Sequence, residues 1–220
     1  MKRSTAIGHL VEMAEVASQW QEVGGRGHWP LTEMWVAGKL LSLTDTLESG
    51  AVVLVLDLPA KELPRLAMHP TAEAIGHQLR LGKRPFLWWY RPRTWPVWTY
   101  DYRQVVKFWS ADSGLDSSAI EALRSRRLDR LAIVEPSDDE LAIQLRTELV
   151  ASREHLRSML EVYWDRDWRQ RHKSYDESPE DHLWRAATAV SEILDAVVMT
   201  LIESAQSCSV KLLTGDGCSL

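Results

Sequence analysis

Apolar residues return every three or four positions from Lys2 to about Gly24, at Ile7, Leu10, Val11, Ala14, Ala17 and Trp20, and this spacing predicts an amphipathic helix ended by Gly24 and Gly25. The pattern then changes. LTEMWVAGKLL (31–41) and GAVVLVLDLP (50–59) predict two strands, the second an almost unbroken β-branched and leucine run of the kind covered on both faces and closed by Pro59. Helical spacing returns in TAEAIGHQLRL (71–81), between Thr71 as cap and Gly82 as stop. Phe86 to Tyr90 and Val97 to Trp109 then predict strands. Alternation puts Trp88 and Tyr90 on one face, Trp89 on the other, and Trp98, Tyr100 and Tyr102 together.

From about Asp116 the strand-like runs give way to long leucine- and arginine-rich segments. Ser117 or Ser118 can cap a helix through IEALRSRRLDRL, which VEPS breaks. Ser137 and Glu140 have the spacing of a capping box and open a helix predicted to reach Arg171. Ser178 as cap and Pro179 at the first helical position begin a last helix, with Leu183, Ala186, Ala187, Val190, Ile193, Leu194, Val197 and Val198 on a broad apolar face. Two long helices joined by a short polar link should pack antiparallel. The expectation is an α+β protein: a small mixed sheet with flanking helices over 1–112, a carboxy-terminal helical hairpin or small bundle over 113–206, and a mobile tail over 207–220.

Composition narrows the function. With 220 residues, 45% hydrophobic and 26% charged, the chain can bury a core as one large or two small domains. A net charge of -5 argues against a protein whose main work is coating nucleic acid, which needs many cations facing phosphates. No charge-free apolar run reaches the length of a membrane span, and Glu12 and Glu15 interrupt the start before a signal peptide could form, so a cytoplasmic location is expected. Cys208 and Cys218 fall near the carboxy-terminal end, where they cannot staple the core or supply a four-ligand metal set.

The order helix, MWVAGKLL strand, GAVVLVLDLP strand and helical partner resembles nucleotidyltransferases of the DNA polymerase β type over roughly residues 1–110. In that family the first strand ends in Gly-Ser, and the second begins with two carboxylates that hold magnesium against the nucleotide phosphates. Here Gly38 stands in the glycine position and Lys39 replaces the serine. Where the acidic pair belongs, 49–53 reads SGAVV, so the resemblance implies the scaffold without its metal-binding carboxylates. KFWS (107–110) and YWDRDW (163–168) also resemble an uncharacterised family of actinobacterial proteins.

The stretch WWYRPRTWPVWTYDYRQ (88–104) holds four tryptophans, three tyrosines and three arginines. A packed sheet face explains it best. The alternative is a ligand groove, because Lys83, Arg84, Arg91, Arg93, Arg103 and Lys107 meet only Asp101 within the segment; base stacking would use the same residue types. Other motifs carry less. Asp165 and Asp167 point about 200° apart on a helix and cannot chelate one ion. His69 and His77 are too distant for a local ligand pair, and GGRG (24–27) lacks the spacing of a phosphate loop. Thr214 and Cys218 have the spacing of a thioether ring in a modified peptide, a remote alternative in which the folded part serves as leader.

The expected function is therefore non-catalytic: a binding or interaction protein for a small molecule or protein partner, without cofactor or metal. Its ligand set is Gly38, Lys39, Arg91, Arg93, Trp88 and Trp98, in one cleft between the domains. A rival is a divergent Mg²⁺-dependent nucleotidyltransferase with Glu48, Asp57 and Asp101 as replacement carboxylates. A third is a helical dimerisation protein, a homodimer that would expose an apolar stripe on its last helix.

Overall fold

A computed structural model describes residues 1–23, 29–44, 46, 48–173 and 178–214, with side chains in the last segment described as far as 202. GGRG and the ends of the tail, Cys218 included, lie outside the described residues. The chain divides into two compact units, Met1–Pro136 and Ser137–Leu220. Among the described residues no helix is long and apolar enough to cross a membrane.

The first unit is a five-stranded mixed sheet in the order β3-β2-β1-β4-β5. Its strands are β1 (Leu31–Ala37), β2 (Gly50–Leu56), β3 (Phe86–Pro92), β4 (Val105–Ser110) and β5 (Gly114–Leu115). β1 runs antiparallel to both β2 and β4, while β2 and β3 are parallel. Register puts Met34 and Val36 beside Leu54 and Val52, on the face covered by α1 (Arg3–Val23), α2 (Pro70–Gln78) and α3 (Ser117–Ser125). Ile7, Leu10, Met13 and Ala17 of α1 and Ile120 and Leu123 of α3 share that core, which is why β5 and α3 remain with the first unit and the boundary expected after residue 112 falls inside it. All of β2 is buried, as an apolar run without alternation requires.

Helix ends follow side-chain chemistry more closely than the expected caps. His69, not Thr71, caps α2, its Nδ1 accepting the Thr71 amide, and Arg80 in the left-handed region stops the helix before Gly82. Asp116, rather than Ser117 or Ser118, caps α3 by accepting from the Ser118 and Ala119 amides. These short helices start where an acceptor can reach the unpaired amides of the first turn.

The strand expected over Val97 to Trp109 exists only from Val105. Prolines 92 and 96 lack the donor a ladder needs, Thr99 and Tyr102 exchange backbone hydrogen bonds in a tight turn, and the Arg91 guanidinium donates to the Pro96 and Trp98 carbonyls at 2.8 and 3.4 Å. Segment 93–104 therefore crosses the second face of the sheet as an irregular strap. Tyr102 stacks on Trp89 with ring centroids 4.8 Å apart.

The second unit is built on α4 (Asp138–Val162), short α5 (Arg166–Arg171) and α6 (Pro179–Thr214). The Ser137–Glu140 capping box is formed in both directions. α4 ends at Val162 rather than Arg171 because Asp165 caps a new helix through the Trp168 amide. Ser178 and Asp181 cap α6 reciprocally. The end of α4 and the start of α6 are joined by Tyr163 and Arg169, both bonded to Glu180, so the two long helices run antiparallel. α6 continues to Thr214, through the beginning of the segment expected as a tail.

Candidate functional site

A concavity of the first unit with a volume of about 730 Å³ lies where β1 ends and β2 begins. It is lined by Gly38, Lys39 and Ser42, by Glu48 and Ala51, by Tyr100 to Gln104, and by Glu135. Gly38 makes the turn out of β1 with φ of +69°, and a Cβ there would sit 2.8 Å from the Tyr102 ring. Only glycine satisfies both the backbone and the ring.

A buried arginine holds the far side of this turn. Arg3, the first residue of α1, is 4% exposed. Its guanidinium donates to the carbonyls of Leu40 (2.6 Å), Ser42 (2.8 Å), Thr44 (3.3 Å) and Leu123 (3.1 Å). Burial, with Arg126 adding repulsion, lowers its pKa from the ordinary arginine value. Four carbonyl acceptors are the compensation for that burial, and they fix the path of the chain just after Lys39.

Charges at the pocket come in separate pairs. Lys39 Nζ meets Glu48 Oε2 at 2.5 Å, and the lysine holds the Glu48 carboxyl below its usual range. Asp101 pairs with Arg65 at 3.0 Å, and Arg65 also covers the Tyr100 ring at 4.7 Å. Glu135 accepts from Gln104 at 2.8 Å. The carboxylates are thus distributed among different donors instead of turning toward a common point. Among the described residues no three metal-ligating side chains gather anywhere in the chain.

The structure brings together Gly38, Lys39, Glu48 and Asp101, and it separates the rest. Asp57 follows the opposite end of β2, about 20 Å away along seven residues of strand. Arg93 and Trp98 line another concavity of about 410 Å³ with Glu33, Trp95 and Asp112. Arg93 donates its amide to Leu56 at the carboxyl end of β2, whereas Lys39 lies near its amino end, so one cleft does not collect both. Arg91 is buried, spending its donors on the strap and stacking over Trp95 at 5.2 Å. Trp88 lies on edge strand β3 and lines neither concavity.

The excess of cations expected over 83–107 is also corrected, because their partners are distant in sequence. Arg84 binds Glu12 at 2.6 Å, and Lys107 binds Glu33 at 3.1 Å. Sequence reasoning passed over Ser42, Gln104 and Glu135 as pocket residues and Arg3 as their support. Arg3 had one signal, a cation at the head of an apolar helical stripe.

This arrangement defines an α+β protein with a polar, tyrosine-flanked pocket on its sheet-bearing unit and a helical carboxy-terminal unit. The chain matches the family model described as Domain of unknown function (DUF7711) over residues 1–199, and it belongs to that family. No curated protein and no solved structure matches it.

Proposed function

We propose that this protein is a non-catalytic binding module on a degenerate nucleotidyltransferase-like scaffold, holding a small ligand with a planar ring and an anionic group in the pocket at Lys39. The scaffold reading is supported by the order α1, antiparallel β1 and β2, α2, then β3 parallel to β2, with the pocket at the strand ends where that family keeps its carboxylates. One observation carries the non-catalytic reading. Ala51, a methyl group, lines the wall where a metal-binding carboxylate is needed, and the nearest acids, Glu48 and Asp101, are each engaged by a cation. A single monodentate oxygen leaves Mg²⁺ as well solvated by water as by protein. Tyr100 and Tyr102 give the pocket an aromatic wall, and Lys39 can exchange Glu48 for a ligand anion.

Thermal shift with nucleoside triphosphates, each with and without Mg²⁺ or Mn²⁺, tests this. Stabilisation that is independent of metal and lost in Lys39→Met is expected. Stabilisation only with metal, accompanied by nucleotidyl transfer, would establish an enzyme instead, and no shift with any triphosphate would remove this ligand class.

A further inference from the structure

We infer that the concavity lined by Arg93 is a second binding site of the first unit, one that takes a small zwitterion with an apolar body, of amino-acid or dipeptide size. Its carboxylate meets Arg93 and its ammonium meets Asp112. The site uses different residues from the pocket at Lys39 and does not depend on what that pocket holds.

Strand direction places the concavity. β1 runs antiparallel to β2 and β4 while β3 is parallel to β2, so β2, β3 and β4 point the same way. Val55 near the end of β2, Arg93 after β3 and Asp112 after β4 all line it. It therefore lies outside the carboxyl ends of three strands, where open sheets with parallel strands hold ligands. Its volume of about 410 Å³ suits a small molecule.

The wall is fixed before a ligand arrives. Arg91 is 4% exposed, donates to the Pro96 and Trp98 carbonyls, and stacks over Trp95. These contacts hold the segment that brings Trp95 and Trp98 into the lining, so little ordering is left to be done on binding. Val55, itself buried, adds an apolar surface.

Charge then selects the occupant. Thr32 donates to the Val55 carbonyl at 3.1 Å, and the Glu33 carboxylate accepts from Trp35 at 2.8 Å and from Lys107 at 3.1 Å, so both of these polar groups are already used. Arg93 and Asp112 are not. Both are exposed, and among the described residues neither side chain has a hydrogen-bonding or ionic partner. They follow strands three spacings apart, about 14 Å, and stand on opposite rims of the concavity instead of pairing with each other. A phosphate-like anion would gain Arg93 but face the carboxylates of Asp112 and Glu33, and a simple cation would face Arg93. A molecule with one charge of each sign satisfies both rims, its carboxylate matching the guanidinium fork and its apolar part meeting the tryptophans.

Isothermal titration calorimetry of the full chain with L-phenylalanine and with L-leucyl-L-phenylalanine tests the inference and separates the two sizes. At least one should bind with a Kd of about 1 mM or tighter. Its N-acetyl and C-terminal amide derivatives, each lacking one of the two charges, should bind about tenfold more weakly. Arg93→Gln should weaken the free compound about tenfold and remove the penalty for the amide, and Asp112→Asn should do the same for the N-acetyl derivative. Circular dichroism should be unchanged in both variants, because the two side chains are exposed. Absence of binding by both compounds, blocked derivatives that bind as well as their parent, or an affinity indifferent to either substitution would overturn it.

Discussion

Replacing Arg3 with methionine should cost about 3 kcal/mol of stability. The side chain keeps its approximate length and apolar stem but loses every donor. Of the four carbonyls it serves, those of Leu40 and Leu123 meet it in buried surroundings, and those of Ser42 and Thr44 are partly open to water. Each acceptor left unpaired in the interior costs about 1 to 3 kcal/mol, which gives roughly 2 to 6 for the buried two, while the outer two can be rehydrated. Removing a cation that burial disfavours returns part of this, so the lower half of the range applies. With a urea m-value of about 2 kcal/mol/M, the midpoint of the first unit should fall by about 1.5 M. Arg3→Lys should recover at most half, since an ammonium cannot fork across four carbonyls on three elements. Amide exchange should quicken first over 40–44, the turn behind Lys39. A loss under about 1 kcal/mol for the methionine variant, or a neutral lysine variant, would refute the assignment of Arg3 as the support of this turn.

Gly38→Ala places an L side chain at φ +69° and drives its Cβ toward the Tyr102 ring. A loss of about 2 kcal/mol is expected by thermal unfolding, and in a Tyr102→Ala background only the backbone part, about 1 to 2 kcal/mol, should remain. His155 adds a pH dependence. Burial, with His182 as the second cause, lowers its pKa from the ordinary histidine value. The unfolded chain therefore takes up a proton near pH 6.5 that the folded chain resists, so its contribution is unimpaired above that pH and stability falls as the pH drops below it. His155→Gln should flatten the dependence of Tm on pH between about 5 and 7, and an unchanged slope would exclude His155 as its source.

Elements whose signal is local were legible in the sequence. The stripe from Ile7 to Ala17, the apolar run of β2 and the Ser137–Glu140 box each depend on neighbours within a few residues, and each is found in the structure. Segment 97–104 was misread because alternating aromatic residues look the same in a strand and in a strap. What separates the two is the Arg91 side chain bonding to carbonyls five and seven residues ahead. Asp165 could be seen as an acidic residue in a charged stretch, but its role as a cap depends on the turn that ends α4. Of the candidate site, Gly38 and Lys39 were visible through the turn that follows β1. Glu48 and Asp101 were named among the acids, but Arg3 and Glu135 were not, because they reach that turn through the fold and not along the chain.

Every residue lining the Lys39 concavity precedes Ser137. The pocket wall is thereby encoded in the first 136 residues alone. A fragment ending at Pro136 therefore carries every side chain that a ligand at Lys39 would meet.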